Sequence, residues 1–156
     1  MKTILVLGAG LSASSLLRYL SERLVTAHWI LKIGSSEIEP LKMFYGSNER
    51  IQLIQLDASS SDERRAVIAH ADLVISMLPA KFHPDVARDC IDLRTDLITP
   101  SYVSPAMKIL HEEAVSKGVT IMNETGVDPG IDHMSAMKIM DEKREEGAVL
   151  KVFKSF

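Results

Sequence analysis

Between Asn123 and Met134 the chain holds a Pro129-Gly130 pair between two carboxylates, Asp128 and Asp132, with Glu124 ahead of it and His133 behind. Carboxylates and imidazoles orient polar substrates and move protons near neutral pH. A charged, glycine-rich turn that opens a helix is built to hold a ligand rather than merely to connect two elements. A second chemical signature lies near the N-terminus, where Gly8-Ala9-Gly10-Leu11-Ser12-Ala13 spells G-x-G-x-x-A. An apolar run, Lys2 to Leu7, precedes it. Leucines 16, 17, 20 and 24 follow at helical spacing. Strand, glycine turn and helix in that order form the context in which this fingerprint binds a dinucleotide. Gly8 permits the tight turn, Gly10 lets backbone approach a pyrophosphate, and Ala13 keeps helix and strand close. The helix N-terminus offers free N–H groups and partial positive charge to the phosphates. Leu11 and Ser12 belong to the same turn, and Ser12, Ser14 and Ser15 add hydroxyl donors.

These residues need a scaffold that brings them together. The second strand is expected over His28 to Ile33, a third over Ile51 to Leu56 ending in Asp57-Ala58, and a fourth over Asp72 to Met77. Two short strands follow, Asp96 to Thr99 and Val119 to Met122. Helices are expected over Asp62 to Ala69, Pro84 to Leu93 and Ser104 to Lys117, the last stopped by Gly118. Alternation of this kind predicts an α/β fold with a doubly wound parallel sheet, Rossmann-like in its first units. In such a sheet ligands lie beyond the carboxyl ends of the strands. The expected rim is therefore Gly8 to Ala13, Gly34 to Ser36, Asp57-Ala58, Leu78-Pro79-Ala80, Pro100-Ser101-Tyr102 and Glu124 to Asp132.

The second strand's tip bears on the cofactor. An acidic residue there would bind a ribose 2′-hydroxyl, but the sequence reads Lys32-Ile33-Gly34-Ser35-Ser36-Glu37. Ser35 and Ser36, with a lysine close by, suit a 2′-phosphate, so the reading leans to NADP while NAD stays open. Bulk properties narrow the remaining classes. A net charge of −3 with no long basic run gives a nucleic-acid surface no support. No apolar segment is long enough to span a bilayer. One cysteine, Cys90, excludes an internal disulfide framework and suits a reducing cytoplasm. His28, His70 and His111 lack partners at metal-ligand spacing, so no metal site is expected. Cys90 and the methionines Met77, Met134, Met137 and Met140 read as core. His83 reads as a rim residue and His133 as structural.

Taken in order, the glycine turn, Ile75-Ser76-Met77-Leu78-Pro79 with Phe82-His83, Ser101-Tyr102-Val103-Ser104-Pro105-Ala106-Met107, and Glu124 through Met134 resemble the N-terminal portion of the glutamate-forming saccharopine dehydrogenases, also called saccharopine reductases. The resemblance covers essentially the whole chain. It implies an NAD(P)-dependent oxidoreductase of lysine metabolism, which interconverts saccharopine with glutamate and 2-aminoadipate 6-semialdehyde by hydride transfer at a secondary amine. It also implies that Ser101 and Tyr102 contact the substrate, that Asp128 lies where cofactor and substrate meet, and that Leu78, Pro79 and Pro100 line the cofactor, with Ser101 at the join. Tyr102 and Asp128 are then the candidate catalytic pair, Tyr102 hydrogen-bonding the amine or a carboxylate and Asp128 orienting the substrate or accepting a proton. The chain departs from the family's pattern at Pro100 and at the serine-tipped second strand.

Family members are several hundred residues long. Residues 1–127 are expected to form the cofactor domain. Residues 128–156 are expected to supply a connecting helix, Ile131 to Lys143, capped by Asp128 with Pro129 in its first turn, then a first strand, Ala148 to Phe156, of a truncated substrate and dimerisation domain. A stand-alone, non-catalytic dinucleotide-binding module and a related carboxyalkyl-amine dehydrogenase, such as one acting on carboxynorspermidine, are the alternatives. A cytoplasmic protein, a small amino-acid substrate and possible homodimerisation complete the expectation.

Overall fold

The computed structural model describes residues 1–154. Six strands form one sheet, β1 (Lys2–Leu7), β2 (Trp29–Ser35), β3 (Ile51–Gln55), β4 (Leu73–Ser76), β5 (Asp96–Ile98) and β6 (Ile121–Met122). Every pairing is parallel, in the order β3-β2-β1-β4-β5-β6. This is the doubly wound arrangement, with its topological switch between β1 and β4. β1 is central because Ile4 through Leu7 are apolar without interruption and can be buried on both faces. On one face Leu5 and Leu7 join Val74, Leu97 and the helices α3 (Ser61–Ile68), α4 (His83–Leu93), α5 (Pro105–Ile109) and α6 (His111–Lys117). On the other, Ile4 and Val6 pack with Leu31, Ile33 and Ile75 beneath α1 (Ser14–Ser21). Among the described residues, no helix is long and apolar enough to cross a membrane.

Several element bounds differ from expectation for identifiable reasons. His28 takes a left-handed conformation (φ 56°), so β2 starts one residue later. The strand then runs on to Ser35, because Gly34 and Ser35 keep pairing with Ile54 and Gln55 of β3. A helix to which the sequence pattern assigns no element, α2 (Glu39–Tyr45), starts with Pro40 in its first turn. Only Leu41 and Tyr45 of α2 pack against the core, too few for a periodic signal. The single helix expected over Ser104 to Lys117 is broken at Leu110, whose N–H bonds the Met107 carbonyl in a tighter three-residue turn. Met107, Leu110 and Ala114, from both sides of the break, all enter one core. Ser104 starts α5 by accepting from the Met107 N–H at 3.2 Å, ahead of Pro105.

The C-terminal part departs most. The helix α7 (Ile131–Glu145) is present, but it buries no side chain. Ile131, Met134 and Met137 are exposed, and Met140 is only half-buried, so the methionine stripe is not core. Met77, by contrast, packs against the α1-side cluster. The N-cap position of α7 is Gly130 rather than Asp128. The expected strand over Ala148 to Phe156 does not form across 148–154, which are irregular and exposed, and its last two residues lie outside the described ones.

Candidate functional site

The carboxyl ends of the strands open onto a cleft of about 710 Å³. At its centre is the turn after β1. Gly8 has φ +92°, and a Cβ there would stand 3.1 Å from the Met77 backbone, so a side chain is excluded by both conformation and contact. Gly10 differs. Its backbone is ordinary extended chain (φ −68°, ψ −179°), and a Cβ on it would meet nothing within 4 Å. What Gly10 leaves is open space on the cleft side, at the start of the turn of 3₁₀ helix Leu11–Ala13 that leads into α1. This is the room and the N–H array that a phosphate requires.

Gly8, Gly10, Leu11, Ser12, Ala13, Ser35, Ser36, Ala58, Leu78, Pro79, Pro100 and Ser101 all line this one cleft. Asp57 does not. Its carboxylate accepts from the Ser59 N–H and hydroxyl, both at 2.8 Å, and those bonds hold it below the usual carboxylate range. Lys32, counted as the lysine near the serines, is turned away, with its ammonium 3.4 Å from the His70 carbonyl. The strand tip therefore offers Ser35 and Ser36 together with Glu37, which also lines the cleft.

A second, more apolar cavity of about 1100 Å³ adjoins the first. Ile75, Met77 and Ile98 floor it, and Tyr102, Thr125, Val127 and Asp128 wall it. Pro100 and Ser101 line both cavities, so the two meet at the end of β5. Here the structure joins the segments singled out in sequence, since the Tyr102 hydroxyl donates to Asp128 Oδ1. That bond and the adjacent carboxylates raise the phenol above its ordinary value near 10. Asp128 thus serves as an acceptor for Tyr102 instead of a helix cap. Both residues are exposed at the cavity wall.

Asp132 Oδ1 accepts from the Gly130 N–H at 3.0 Å and pairs with His133 Nδ1 at 2.8 Å. Partial burial works to raise the Asp132 carboxyl, but these bonds outweigh it and hold the group low. The same carboxylate raises His133 above its usual value of 6.5. Asp128, Asp132 and His133 bring ligand-type atoms within 4.8 Å of one another. All three are exposed, and each has an atom engaged in the hydrogen bonds just described.

His83, expected at the rim, holds two partners that the sequence alone does not reveal. It is buried, 2% exposed, and its two ring nitrogens bridge Ser76 Oγ (3.1 Å) and Ser101 Oγ (2.9 Å). Burial lowers its pKa and keeps the ring neutral. The available signal was Ser76 at a strand end with a histidine seven residues on, at the start of a helix. The buried pair of Arg64 and Asp89 (2.8 Å) was also missed. Arg64 Nη1 further donates to the carbonyl of Ala58 at 2.8 Å, fixing one end of the cleft.

This geometry can be set beside known proteins. Residues 4–122 match the model of the family described as the saccharopine dehydrogenase NADP binding domain. Saccharopine dehydrogenase [NADP(+), L-glutamate-forming] of Saccharomyces cerevisiae is 46% identical over 103 residues, covering 66% of this chain and 23% of that protein. The mitochondrial alpha-aminoadipic semialdehyde synthase of Rattus norvegicus is 34% identical over 155 residues, covering 99% of this chain and 16% of the rat protein. The apo saccharopine dehydrogenase (L-Glu forming) structure from Saccharomyces cerevisiae superposes with a TM-score of 0.83 at 36% identity, over 97% of this chain and 33% of that one. Homoserine dehydrogenase of S. aureus, at 16% identity and a TM-score of 0.55 over 78% of this chain and 31% of its own, shares the fold alone. The chain thus spans a third or less of each of these relatives. It belongs to the saccharopine dehydrogenase NADP binding domain family.

Proposed function

We propose that this chain binds NADP and forms the cofactor-binding part of an oxidoreductase of lysine metabolism, one that interconverts saccharopine with glutamate and 2-aminoadipate 6-semialdehyde. The observation that carries the reading is the meeting of two cavities at Ser101, one along the glycine turn and one walled by Tyr102 and Asp128. A dinucleotide stretched across the first would bring its nicotinamide to that junction, against whatever lies in the second. The family's description and the yeast relative's name favour NADP over NAD, and the serine tip of β2 agrees with them.

Bound NADP supplies a hydride acceptor for the C–H bond beside the substrate's secondary amine. The turn from Gly8 to Ala13 would fix the pyrophosphate, and Leu78, Pro79 and Pro100 would shield the nicotinamide from water. Tyr102 donates to Asp128. With substrate present it would turn that hydroxyl to the amine or to a carboxylate. Asp128, released from the phenol, would then be placed to accept a proton from the amine. Holding these groups in register with the C–H bond is the largest contribution the chain could make.

Calorimetric titration with NADPH and NADH tests the first half of the reading. Tighter NADPH binding is expected, and no binding of either would refute it. Saccharopine-dependent reduction of NADP, assayed on this segment joined to the remainder of a full-length relative, tests the second half. Tyr102→Phe or Asp128→Asn should lower turnover at least about tenfold, and a change of less than a few-fold for both removes them from the chemistry. The same reading proposes a cytoplasmic protein whose copies pair, the pairing to be checked by sedimentation with and without NADPH.

A further inference from the structure

The imidazole of His83 is the most buried titratable ring in contact with the proposed site, and its two bonds fix more than its own place. A neutral imidazole has one donor and one acceptor nitrogen. Ser76 is fully buried, and among the described residues His83 Nδ1 is the one hydrogen-bond partner recorded for its hydroxyl. If Nδ1 carried the proton, the Ser76 O–H would be left buried with nothing to donate to, which costs more than an unused oxygen lone pair. The favoured arrangement has Ser76 donating to Nδ1 and Nε2–H donating to Ser101 Oγ at 2.9 Å. The N-terminal turn of α4, where the positive end of the helix dipole disfavours an imidazolium, holds the ring neutral.

A hydroxyl that already accepts a bond from His83 directs its own proton elsewhere. For Ser101, half-buried and lining both cavities, elsewhere is the junction of the two. We infer that His83 is a positioning residue that presets Ser101 as a hydrogen-bond donor, so that the junction selects a ligand oxygen acceptor. That oxygen is the carboxamide oxygen of a nicotinamide or a carboxylate oxygen of the amino-acid substrate. The inference rests on the cleft taking a dinucleotide, but its first test does not.

Nitrogen NMR of the ligand-free chain labelled with ¹⁵N-histidine reads the tautomer directly. A pyrrole-type Nε2 and a pyridine-type Nδ1 on His83 are expected, and the reverse assignment overturns the inference whatever NADPH does. His83→Gln keeps a donor at the Nε2 position, whereas His83→Leu and Ser101→Ala remove it. If the acceptor is the carboxamide, NADPH should bind His83→Leu and Ser101→Ala about three- to tenfold more weakly than wild type, with His83→Gln near wild type. If it is the carboxylate, the same pattern should appear for glutamate binding to the NADPH-loaded chain instead. Equal binding of both ligands by wild type, His83→Gln and Ser101→Ala overturns the inference even where His83→Leu does not fold.

Discussion

Replacing each of the two glycines of the β1 turn by alanine should separate folding from binding. At Gly8 the backbone sits at φ +92°, and the added methyl would lie 3.1 Å from both the carbonyl carbon and the oxygen of Met77. Left-handed strain alone costs about 1–2 kcal/mol, and the backbone contact cannot be relieved by a side-chain rotation. Gly8→Ala should therefore lose about 2 kcal/mol, which for a chain of this size lowers Tm by about 4–8 °C. At Gly10 the backbone is extended and the methyl meets nothing. Gly10→Ala should hold or gain about 0.4–1 kcal/mol through the unfolded chain's lost freedom. The same methyl would stand where a pyrophosphate must approach. Losing one charge-assisted hydrogen bond, about 1.5–3 kcal/mol, weakens NADPH binding about 10- to 100-fold. Scanning calorimetry gives the first quantity and titration calorimetry the second. A Gly10→Ala protein that binds NADPH like wild type would refute the placement of the phosphates. One that melts as low as Gly8→Ala would refute the geometry of the turn.

Three other outcomes follow from the site and its support. Glu37→Gln should tighten NADPH about fivefold at low salt, the scale of one like-charge contact in water, and the gain should fade as salt is added; weaker NADH binding with NADPH unchanged would instead make Glu37 a ribose ligand. The Tyr102 phenol, raised by Asp128, should ionise above its ordinary value near 10 in an ultraviolet titration, its signal identified by difference from Tyr102→Phe. Its contribution to stability is full below the unfolded value and lost as pH rises through the raised one, so Asp128→Asn should move the ionisation back down, and no movement would deny the pair. Asp89→Ala leaves Arg64 buried without its partner, which should cost about 3–5 kcal/mol and lower Tm by about 6–20 °C; a fall of under about 2 °C in a thermal melt would contradict that assignment.

The strands, their doubly wound parallel sheet and the glycine turn were legible because each leaves a signature in the sequence. Continuous apolar runs mark buried strands, and G-x-G-x-x-A marks the turn whatever surrounds it. The rim could be listed in advance because a doubly wound sheet gathers its strand ends. Asp57 stands apart from the cleft lining because the same position also starts a turn, and its carboxylate is taken up by Ser59 two residues on. Lys32 departs for a different reason: alternation along β2 puts its side chain on the opposite face from Ser35, beside the His70 carbonyl. His83 is legible at the rim but its two serine partners are not, and Arg64 is not legible at all, because a polar residue on an amphipathic helix reads as solvent-facing until its partner's place is known. The methionines of α7 were placed in a core on spacing alone, and spacing does not say what covers a face.

The hydrogen bonds around α4 act as a brace on the cleft. One end of the cleft, Ala58 after β3, is held by Arg64, which is locked to Asp89 on α4. The other end, Ser101 after β5, is held by His83, the first residue of that same helix. β3 and β5 stand four strand spacings apart, about 19 Å, while His83 and Asp89 are about 9 Å apart along the helix. A single rigid rod beneath the sheet is thus clamped to both jaws, and neither jaw can swing without dragging the other. With the proposed dinucleotide in the cleft, gripping its adenine half and aligning its nicotinamide half would become one mechanical act.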